Sequence, residues 1–254
     1  MEAAEYEKMY HFEDGNWWYQ GRRELLIDII DGIKLKLECV KILDAGCGTG
    51  LNLKFLDRYG EVIGLDISED ALYFTKLRGN SSLICASVDK LPLKSDIFQM
   101  ICALDVLEHI DNDESAMREF YRVLEPGGYL ILTVPAFKFL WSRHDIAAHH
   151  KRRYNKVSLI QSLRSCEFSV DKSTYWNFFL FLPVTLVRLF RKDEKQEIRT
   201  DLQVLPVLLN KVLLYVLRLE KAVISRDIAL PVGVSILCIC RKGCGEENAA
   251  EKGI

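Results

Sequence analysis

Short runs of β-branched and aliphatic residues alternate with stretches of helical periodicity between residue 40 and about residue 134. This alternation predicts repeated strand–helix–strand units, which build a parallel sheet covered on both faces by helices. We place five strands here and two more before the C-terminus: Lys41–Ala45, Glu61–Asp66, Ser82–Ala86, Phe98–Leu104, Tyr129–Val134, Phe168–Tyr175 and Gly233–Arg241. The chain is therefore predicted to be an α/β protein with a Rossmann-like, doubly wound sheet.

The predicted helices fill the gaps between these strands, and the chain is long enough for one large α/β domain or one core plus a cap. The helices are Leu51–Tyr59, Glu69–Arg78, Asn112–Leu124 and Lys156–Cys166. Pro126-Gly127-Gly128 is a strong turn signal after the third of them. Ligands of such folds bind outside the carboxyl ends of the strands, so the candidate site is sought there.

The composition excludes several classes of protein. The chain has 254 residues, of which 49% are hydrophobic and 28% charged, with 15 Gly and 6 Pro, and this is incompatible with a disordered or collagen-like chain. The formal net charge of −2 gives no overall electrostatic reason to bind nucleic acid. We therefore expect a packed domain that does not bind nucleic acid.

The cysteines and the N-terminal residues predict a cytoplasmic protein. Most of the 8 cysteines lie inside apolar runs, and the opening MEAAEYEKMYHFEDG is acidic and aromatic rather than a secretory signal. Free, buried thiols are expected, and the spacing of Cys238, Cys240 and Cys244 matches no common zinc pattern. The longest apolar run, Tyr175 to Val187, is too short and interrupted to span a membrane.

A glycine-rich segment follows the first predicted strand and carries most of the functional information. Closely spaced glycines after a strand let the backbone approach a ligand where a helix begins, which indicates an adenosine cofactor. The third glycine is Gly50 and the next residue is Leu51, so the dinucleotide spacing Gly-x-Gly-x-x-Gly is not met. Asp44 precedes the loop, and its carboxylate would repel a diphosphate but suits a sulfonium or ammonium ion. These features favour S-adenosylmethionine (SAM).

A second carboxylate, Asp66, ends the second predicted strand in the segment VIGLDIS. At this position a carboxylate accepts hydrogen bonds from ribose hydroxyls. Because NAD enzymes share this feature, Asp66 alone does not choose between the two cofactors.

Four segments together resemble the class I SAM-dependent methyltransferases: DAGCGTG, GLDIS, DVLEHI and REFYRVLEPGGYLILTVP. The resemblance is strong over residues 38 to 137. It implies a mainly parallel seven-stranded sheet with an antiparallel last strand, and SAM as cofactor. It also implies that the methionine part lies along the glycine loop, the ribose at Asp66, one adenine face at Ile67, and Leu104 at the end of the fourth strand. The loop residues concerned are Asp44, Gly46, Cys47, Gly48 and Gly50.

The chain departs from the family pattern at two positions. The family often has an aspartate at the end of the third strand to bind the adenine amino group, but alignment on Leu91-Pro92 puts Ser87 there, with Asp89 two residues later. The adenine contacts thus stay open among Ser87, Val88 and Asp89. The second departure is Gln99, which follows Phe98 where the family usually has aspartate, and we interpret it as structural.

The N-terminal segment Asn16-Trp17-Trp18-Tyr19-Gln20-Gly21-Arg22-Arg23-Glu24 is aromatic and basic at once. We expect residues 1–36 to form a helical lid in which Tyr19 and Arg22 contact an acceptor that carries a carboxylate or phosphate. The alternative is a helix that packs its tryptophans on the core and leaves its arginines in solvent.

A second basic cluster follows the fifth strand. Residues 138 to 156 contain six Lys or Arg against one Asp and three of the five histidines. We predict an acceptor loop at 135–155, with His144 or His149 as catalytic base. The predicted acceptor-binding residues are Arg143, Arg152, Arg153 and Tyr154. A solvated basic loop and a metal site through His144, Asp145 and His149 are the alternatives, and the preferred interpretation involves no metal. His109 in LEHI is interpreted as structural.

The segments WWYQGRREL and LWSRHDIAAHHKRRY resemble a bacterial and archaeal methyltransferase subgroup found with cell-surface polysaccharide and lipid-linked sugar genes. This resemblance implies an acceptor that carries phosphate or acid.

Two strongly apolar predicted helices, Phe178 to Phe190 and Pro206 to Ile224, form an insertion over 176–230 and are separated by RKDEKQEIRTD. They have three alternative roles: a cap on the core, a homodimer contact through 176–224, or peripheral contact with the inner face of a membrane. The remaining boundaries are a SAM-binding domain at 37–241 and a flexible tail at 242–254.

Taken together, the sequence predicts SAM-dependent methylation of an oxygen on a small or lipid-linked acceptor. The alternatives are an NAD-type oxidoreductase and a non-catalytic SAM-binding protein.

Overall fold

A seven-stranded sheet with the strand order β3-β2-β1-β4-β5-β7-β6 forms the centre of the molecule. The computed structural model describes residues 3–33, 40–190 and 205–244. The strands are β1 (Val40–Ala45), β2 (Gly60–Asp66), β3 (Leu83–Cys85), β4 (Phe98–Leu104), β5 (Leu124–Pro135), β6 (Phe168–Trp176) and β7 (Ser235–Lys242). Strands β1 to β5 pair in parallel, and β7 runs antiparallel to both β5 and β6. The predicted fold class is confirmed.

Nine α-helices within the described residues surround the sheet. They are α1 (Ala3–Phe12), α2 (Trp17–Gly32), α3 (Leu53–Leu56), α4 (Glu69–Leu77), α5 (Asp113–Val123), α6 (Arg143–Ala147), α7 (Lys156–Ser165), α8 (Phe178–Phe190) and α9 (Val207–Ile224). Short 3₁₀ turns occupy Leu107–His109 and Lys138–Leu140. Side chains of Ser68, Asn112 and Asn155 accept a backbone N–H at the starts of α4, α5 and α7, which explains where these helices begin.

Two predicted elements differ from the structure. The helix predicted over Leu51–Tyr59 is only the four residues of α3, because the chain still turns at Leu51 and Asn52, and the Asn52 side chain makes no cap hydrogen bond. Strand β5 begins at Leu124 rather than Tyr129, so the predicted turn at 126–128 lies inside an irregular strand.

The sheet has a hydrophobic core on each face, as the alternation of side chains along a strand requires. In β1, Leu43 belongs to the core formed with α5 and α7, whereas Ile42 belongs to the opposite core formed with α2 and α9. Both side chains are fully buried. Because β1 is covered on both faces, its carboxyl end is the part that is free to meet a ligand.

The second insertion helix, α9, packs along the N-terminal helix α2. Gly21 faces Leu217, and a Cβ at residue 21 would lie 2.3 Å from Leu217 Cδ1. The contact is flanked by a salt bridge from Arg218 to Glu24 at 2.6 Å and one from Lys221 to Asp28 at 3.1 Å. At least part of the insertion is therefore a cap on the core. The charged segment predicted between the two helices lies outside the described residues.

The structure describes seven of the eight cysteines, and none of those seven forms a disulfide. None of the helices in the described ranges is long and apolar enough to cross a bilayer.

Candidate active site

The described residues enclose a cavity of about 650 Å³ at the carboxyl ends of the parallel strands. Its wall is formed by α1 and α2, the glycine loop after β1, the ends of β2 and β4, the loop that follows β5, and α8. This is where ligands bind in open α/β sheets. The part of the cavity at the glycine loop is the cofactor end. The part lined by His109, His144, His149 and His150 is the acceptor end.

The glycine loop needs glycine for both backbone conformation and space. Gly46, Gly48 and Gly50 have φ angles of +74°, +56° and +81°, a region that side chains rarely adopt. A Cβ at residue 46 would lie 2.4 Å from Val106 Cγ2, and one at residue 50 would lie 2.5 Å from Thr75 Cγ2. Gly46 and Gly48 line the cavity together with Cys47, whereas Gly50 is packed behind them.

Asp66 lies in the cavity wall and fixes the loop. Its carboxylate accepts hydrogen bonds from the backbone N–H groups of Gly48 and Ser68, both at 2.9 Å. Burial raises the pKa of Asp66, and these two backbone donors oppose the shift. Ile67 beside it is 70% exposed and offers a flat apolar surface to the cavity.

Asp44 lies beneath the loop rather than in the cavity wall. It is 1% exposed, and its Oδ2 has no hydrogen-bond partner among the described residues. Burial raises the pKa of Asp44 to about 7, while the nearby positive charge of Arg22 lowers it. A cation placed close to a buried carboxylate with an unpaired oxygen stabilises the ionised form of that carboxylate. The Asp44 carboxylate therefore fits the positively charged end of SAM.

The other predicted cofactor residues fall into two groups. Ser87, Val88 and Leu104 line the cavity. Asp89 does not line it, and its carboxylate accepts a hydrogen bond from the Ser87 hydroxyl. Of the three alternatives for the adenine contact, Ser87 and Val88 are the residues that the structure places in the wall.

The N-terminal segment closes the cofactor end through a buried ionic contact that the sequence interpretation missed. Glu13 follows α1, is 4% exposed, and accepts hydrogen bonds from the Thr49 hydroxyl in the glycine loop and from Arg78 at 2.7 Å. Arg78 also donates to the backbone oxygen of Tyr10 at 2.8 Å. Because Glu13 and Arg78 are far apart in sequence, no local pattern signalled this contact.

Tyr19 and Arg22 of α2 both line the cavity. Arg22 donates to Asp105 at 2.6 Å, and Asp105 in turn accepts from the Thr133 hydroxyl at 3.1 Å. The guanidinium group lies over the Tyr19 ring, 5.4 Å from its centroid, and burial raises the pKa of Tyr19 to about 12. Arg22 is thus a residue of the cavity wall whose positive charge is paired with the carboxylate of Asp105.

The residues predicted in the acceptor loop are divided between the cavity wall and the interior. His144, His149 and Arg153 line the cavity, whereas Arg143, Arg152 and Tyr154 do not. Arg152 donates to Asp113 at 2.8 Å, and the Tyr154 hydroxyl donates to the other oxygen of Asp113 at 2.7 Å. These two side chains fasten the loop to α5, which is why they do not reach the cavity.

Arg153 is in the wall but is held by a buried carboxylate. Asp145 is fully buried and accepts from Arg153 Nε at 2.7 Å, from Arg153 Nη2 at 3.1 Å and from the Ser142 N–H at 2.8 Å. The Asp145 Oδ1 also lies 2.9 Å from His150 Nδ1. These partners, opposed by burial, hold the pKa of Asp145 well below its usual range. The positive charge that the sequence concentrates in this loop is therefore largely paired.

The cavity residues of the acceptor end that were not predicted as site residues include Glu108, His109, His150, Lys151 and Asn177. Glu108 is fully buried, and neither of its carboxylate oxygens has a hydrogen-bond partner among the described residues. The amide of Asn177 is also buried without a partner there, at a φ of +63°. The adjacency of Glu108 and His109 in LEHI was a visible signal, but the proximity of His150 depends on the fold.

The alternative metal site through His144, Asp145 and His149 does not form as an open ligand set, because Asp145 is occupied by Arg153, Ser142 and His150.

The fold and the glycine loop define a Rossmann-like protein with a site for an adenosyl cofactor, and comparison with known proteins identifies the family. Residues 43–132 match the family described as "Methyltransferase domain". An uncharacterized protein of Methanocaldococcus jannaschii is 31% identical over 63% of this chain and 68% of its own length. A malonyl-[acyl-carrier protein] O-methyltransferase of Enterobacter lignolyticus is 28% identical over 57% of this chain. The match spans only 62% of that relative's length.

A solved structure of a SAM-dependent methyltransferase from Archaeoglobus fulgidus has the same fold, with a TM-score of 0.57 and 18% identity over 87% of this chain and 94% of that one. The chain belongs to the class I SAM-dependent methyltransferases. The cofactor of this family is SAM, as the glycine spacing and Asp44 predicted.

Proposed function

We propose that the protein transfers a methyl group from SAM to an oxygen of a small or lipid-linked acceptor that carries an acid or phosphate group. One observation carries the proposal: a continuous cavity joins the glycine loop to four of the five histidines, with Lys151 and Arg153 in the same wall. The O-methyltransferase name of the Enterobacter relative supports an oxygen acceptor.

In this proposal the cofactor end holds SAM through backbone and carboxylate groups. Gly46, Cys47 and Gly48 accommodate the methionine part, and Gly50 preserves the shape of the loop. Asp66 accepts from the ribose hydroxyls, and the unpaired oxygen of Asp44 stabilises the positive charge. The adenine ring lies between Ile67 and the pair Ser87 and Val88. When bound, SAM supplies a methyl carbon that its sulfonium has already activated.

The acceptor end supplies alignment, water exclusion and a base. His144 or His149 accepts the proton that the acceptor hydroxyl releases as its oxygen–carbon bond forms and the carbon–sulfur bond breaks. Lys151 presents positive charge to an acidic group of the acceptor, because its partner Asp111 is exposed. Asn177 offers an unpaired amide to a polar group of the acceptor.

We also propose a cytoplasmic location, with the insertion as the surface that a lipid-linked acceptor approaches. Helices α8 and α9 leave large apolar side chains exposed, among them Leu182, Val207, Leu208 and Tyr215.

This exposed surface has two remaining alternative roles, membrane contact and homodimer contact. Flotation with anionic liposomes, together with light scattering, distinguishes them. Co-migration at low salt favours membrane contact, and a dimer mass without flotation favours a homodimer contact.

The function is tested by incubating the purified protein with methyl-labelled SAM and a panel of lipid-linked sugars, acyl acids and phosphorylated hydroxy compounds. We expect transfer of label to an oxygen of one class and a large loss in a double variant, His144→Ala with His149→Ala. Reduction of NAD without methyl transfer would instead support an oxidoreductase. SAM binding with no transfer to any acceptor, and no effect of the double variant, would support a non-catalytic SAM-binding protein.

A further inference from the structure

Three potential metal ligands meet at the acceptor end of the cavity. Glu108, His109 and His150 each offer one ligand atom, and these atoms lie within 4.8 Å of one another. Within residues 3–33, 40–190 and 205–244 this is the one group of three or more such side chains close enough to share an ion. All three side chains line the cavity.

The unpaired state of Glu108 is an independent observation that points to a ligand. A fully buried carboxylate normally has hydrogen-bond partners, because burial of an unpaired charged group costs several kcal/mol. Glu108 has none on either oxygen among the described residues, and His150 Nε2 lies 3.9 Å from its Oε1. That separation is too long for a hydrogen bond and leaves room for an ion between the two groups.

Asp145 holds the His150 ring in the orientation that is usual for metal-binding histidines in other proteins. Because Asp145 already accepts from Arg153 and the Ser142 N–H, it is the acceptor in its contact with His150 Nδ1. Nδ1 is therefore the donor to Asp145, and Nε2 is the nitrogen that faces Glu108. A carboxylate behind a ligand histidine, with the second nitrogen free for a metal, is the usual outer-shell arrangement.

The backbone holds the other two ligands close to His150. Glu108 and His109 lie in the 3₁₀ turn after β4, and the Lys151 N–H donates to the Glu108 carbonyl at 2.7 Å. The His109 and His150 rings are 4.8 Å apart between centroids and nearly perpendicular. Ligand atoms around one zinc ion are separated by about 3.3 Å, so the three groups, now within 4.8 Å of one another, need to close by up to about 1.5 Å.

We propose that Glu108, His109 and His150 bind one divalent transition-metal ion, best matched by Zn²⁺, whose open coordination position takes an oxygen of the methyl acceptor. Two histidines and one glutamate with an open position are a ligand set of catalytic zinc sites. A metal at this position would lower the pKa of a bound hydroxyl, so that its proton would pass more readily to the histidine base as the oxygen–carbon bond forms and the carbon–sulfur bond breaks. The acceptor role rests on the proposed function, whereas metal binding itself does not.

The test is a titration of the purified, metal-free protein with Co²⁺, a coloured substitute for Zn²⁺, followed by visible absorption and calorimetry. We expect one ion per chain and at least about 100-fold weaker binding in Glu108→Gln, His109→Asn and His150→Asn. Asp145→Asn removes the carboxylate behind His150 and also weakens the buried pair with Arg153. If this variant folds, it is expected to weaken binding about 10- to 100-fold. Circular dichroism of each variant identifies any that fails to fold, and His109→Asn serves if Glu108→Gln does so.

Two controls separate this site from other metal-binding groups. His11 is the one histidine outside the cavity, so His11→Ala keeps the ion. Cys85 and Cys244 are exposed thiols, so Cys85→Ser with Cys244→Ser keeps it as well. Absence of Co²⁺ binding by the wild-type chain would overturn the proposal, as would binding that survives His109→Asn with His150→Asn.

A separate measurement tests the acceptor role. Chelation is expected to reduce methyl transfer at least about 10-fold and added Zn²⁺ to restore it, while the Kd for SAM stays unchanged. Transfer that proceeds equally with and without the bound ion would contradict the acceptor role. Failure of the proposed function is distinguishable, because it would leave Co²⁺ binding intact and abolish SAM binding or transfer in every preparation.

Discussion

The two ends of the cavity are built in different ways. At the cofactor end, one continuous segment supplies three glycines with positive φ, and the polar groups around it are mostly backbone atoms and the carboxylates of Asp44 and Asp66. At the acceptor end, the groups come from separate elements and are positioned by long-range ionic contacts such as Arg152 with Asp113. The backbone of the glycine loop is therefore encoded locally, whereas the acceptor end, like the closure of the cofactor end by Glu13 and Arg78, depends on how distant segments are fastened together.

The largest expected effect lies at the acceptor end and concerns stability. Arg153→Leu leaves the buried carboxylate of Asp145 without its main partner, so we expect the free energy of unfolding to fall by about 3–5 kcal/mol. Urea denaturation followed by circular dichroism measures the change. Arg152→Leu is the control: its side chain is 35% exposed, and its loss is expected to cost about 1 kcal/mol or less. Equal effects of the two changes would contradict the distinction between them.

The next effect lies at the cofactor end and concerns binding. Gly46→Ala puts a Cβ against Val106 at a residue with positive φ, which displaces the loop, and we expect SAM affinity to fall about 100-fold, or about 2.7 kcal/mol. Gly79→Ala is the matched control, because Gly79 has a φ of +92° but an open surrounding. Calorimetry should show unchanged SAM affinity in Gly79→Ala, and a similar loss in both variants would mean that backbone strain alone is responsible.

These two predictions show why the sequence was informative about one end and not the other. The strands depend on short apolar, β-branched runs and the glycine loop on local backbone requirements, and both are visible in the order of residues. The acceptor end depends on tertiary partners. Arg152 and Tyr154 resemble substrate ligands in sequence, yet Asp113, about forty positions earlier, binds both of them.

The same reason explains the misassigned helix and the missed residues. The apolar pattern after the glycine loop predicts a longer helix than α3, because the pattern does not show that the chain still turns at Asn52. Glu13 closes the cofactor end only through Arg78 and Thr49, which are distant in sequence. Asn177 lies in the cavity because it joins β6 to α8 at a positive φ, a feature with no local sequence signal beyond asparagine itself.

A third prediction concerns the pH dependence of SAM binding. Burial raises the pKa of Asp44 from 3.8 to about 7 in the ligand-free protein. A cationic ligand favours the ionised carboxylate, so binding below pH 7 requires loss of one proton, and affinity is expected to rise about tenfold per pH unit up to about pH 7 and then level off. In the Asp44→Asn variant, all titrating groups of the protein and of SAM are the same as in the wild type, except Asp44 itself. The variant should therefore lack the rise of SAM affinity with pH. A rise that persists in the variant would exclude Asp44 as the group responsible.

The same shift has the opposite sign for stability. Between pH 3.8 and about 7 the folded chain retains a proton on Asp44 that the unfolded chain has lost. The free energy of unfolding should therefore fall as the pH rises through this window, and Asp44→Asn should reduce that fall. Thermal unfolding at several pH values measures the difference, and an unchanged pH dependence in the variant would contradict the assignment.

The smallest expected effect concerns acceptor binding at Asn177. Asn177→Gly keeps the positive φ but removes the unpaired amide, so we expect KM for the acceptor to rise about fivefold, or about 1 kcal/mol, with no change in the Kd for SAM. Steady-state kinetics against acceptor concentration measures the change. A loss of SAM affinity in this variant would mean that Asn177 belongs to the cofactor end.

The central claim is that the carboxylate-flanked glycine loop takes a sulfonium cofactor and excludes a diphosphate. Parallel calorimetric titrations of the wild-type protein with SAM and with NADH test it most directly. We expect SAM to bind one molecule per chain and NADH to bind at least about 100-fold more weakly. Equal or tighter binding of NADH would contradict the claim.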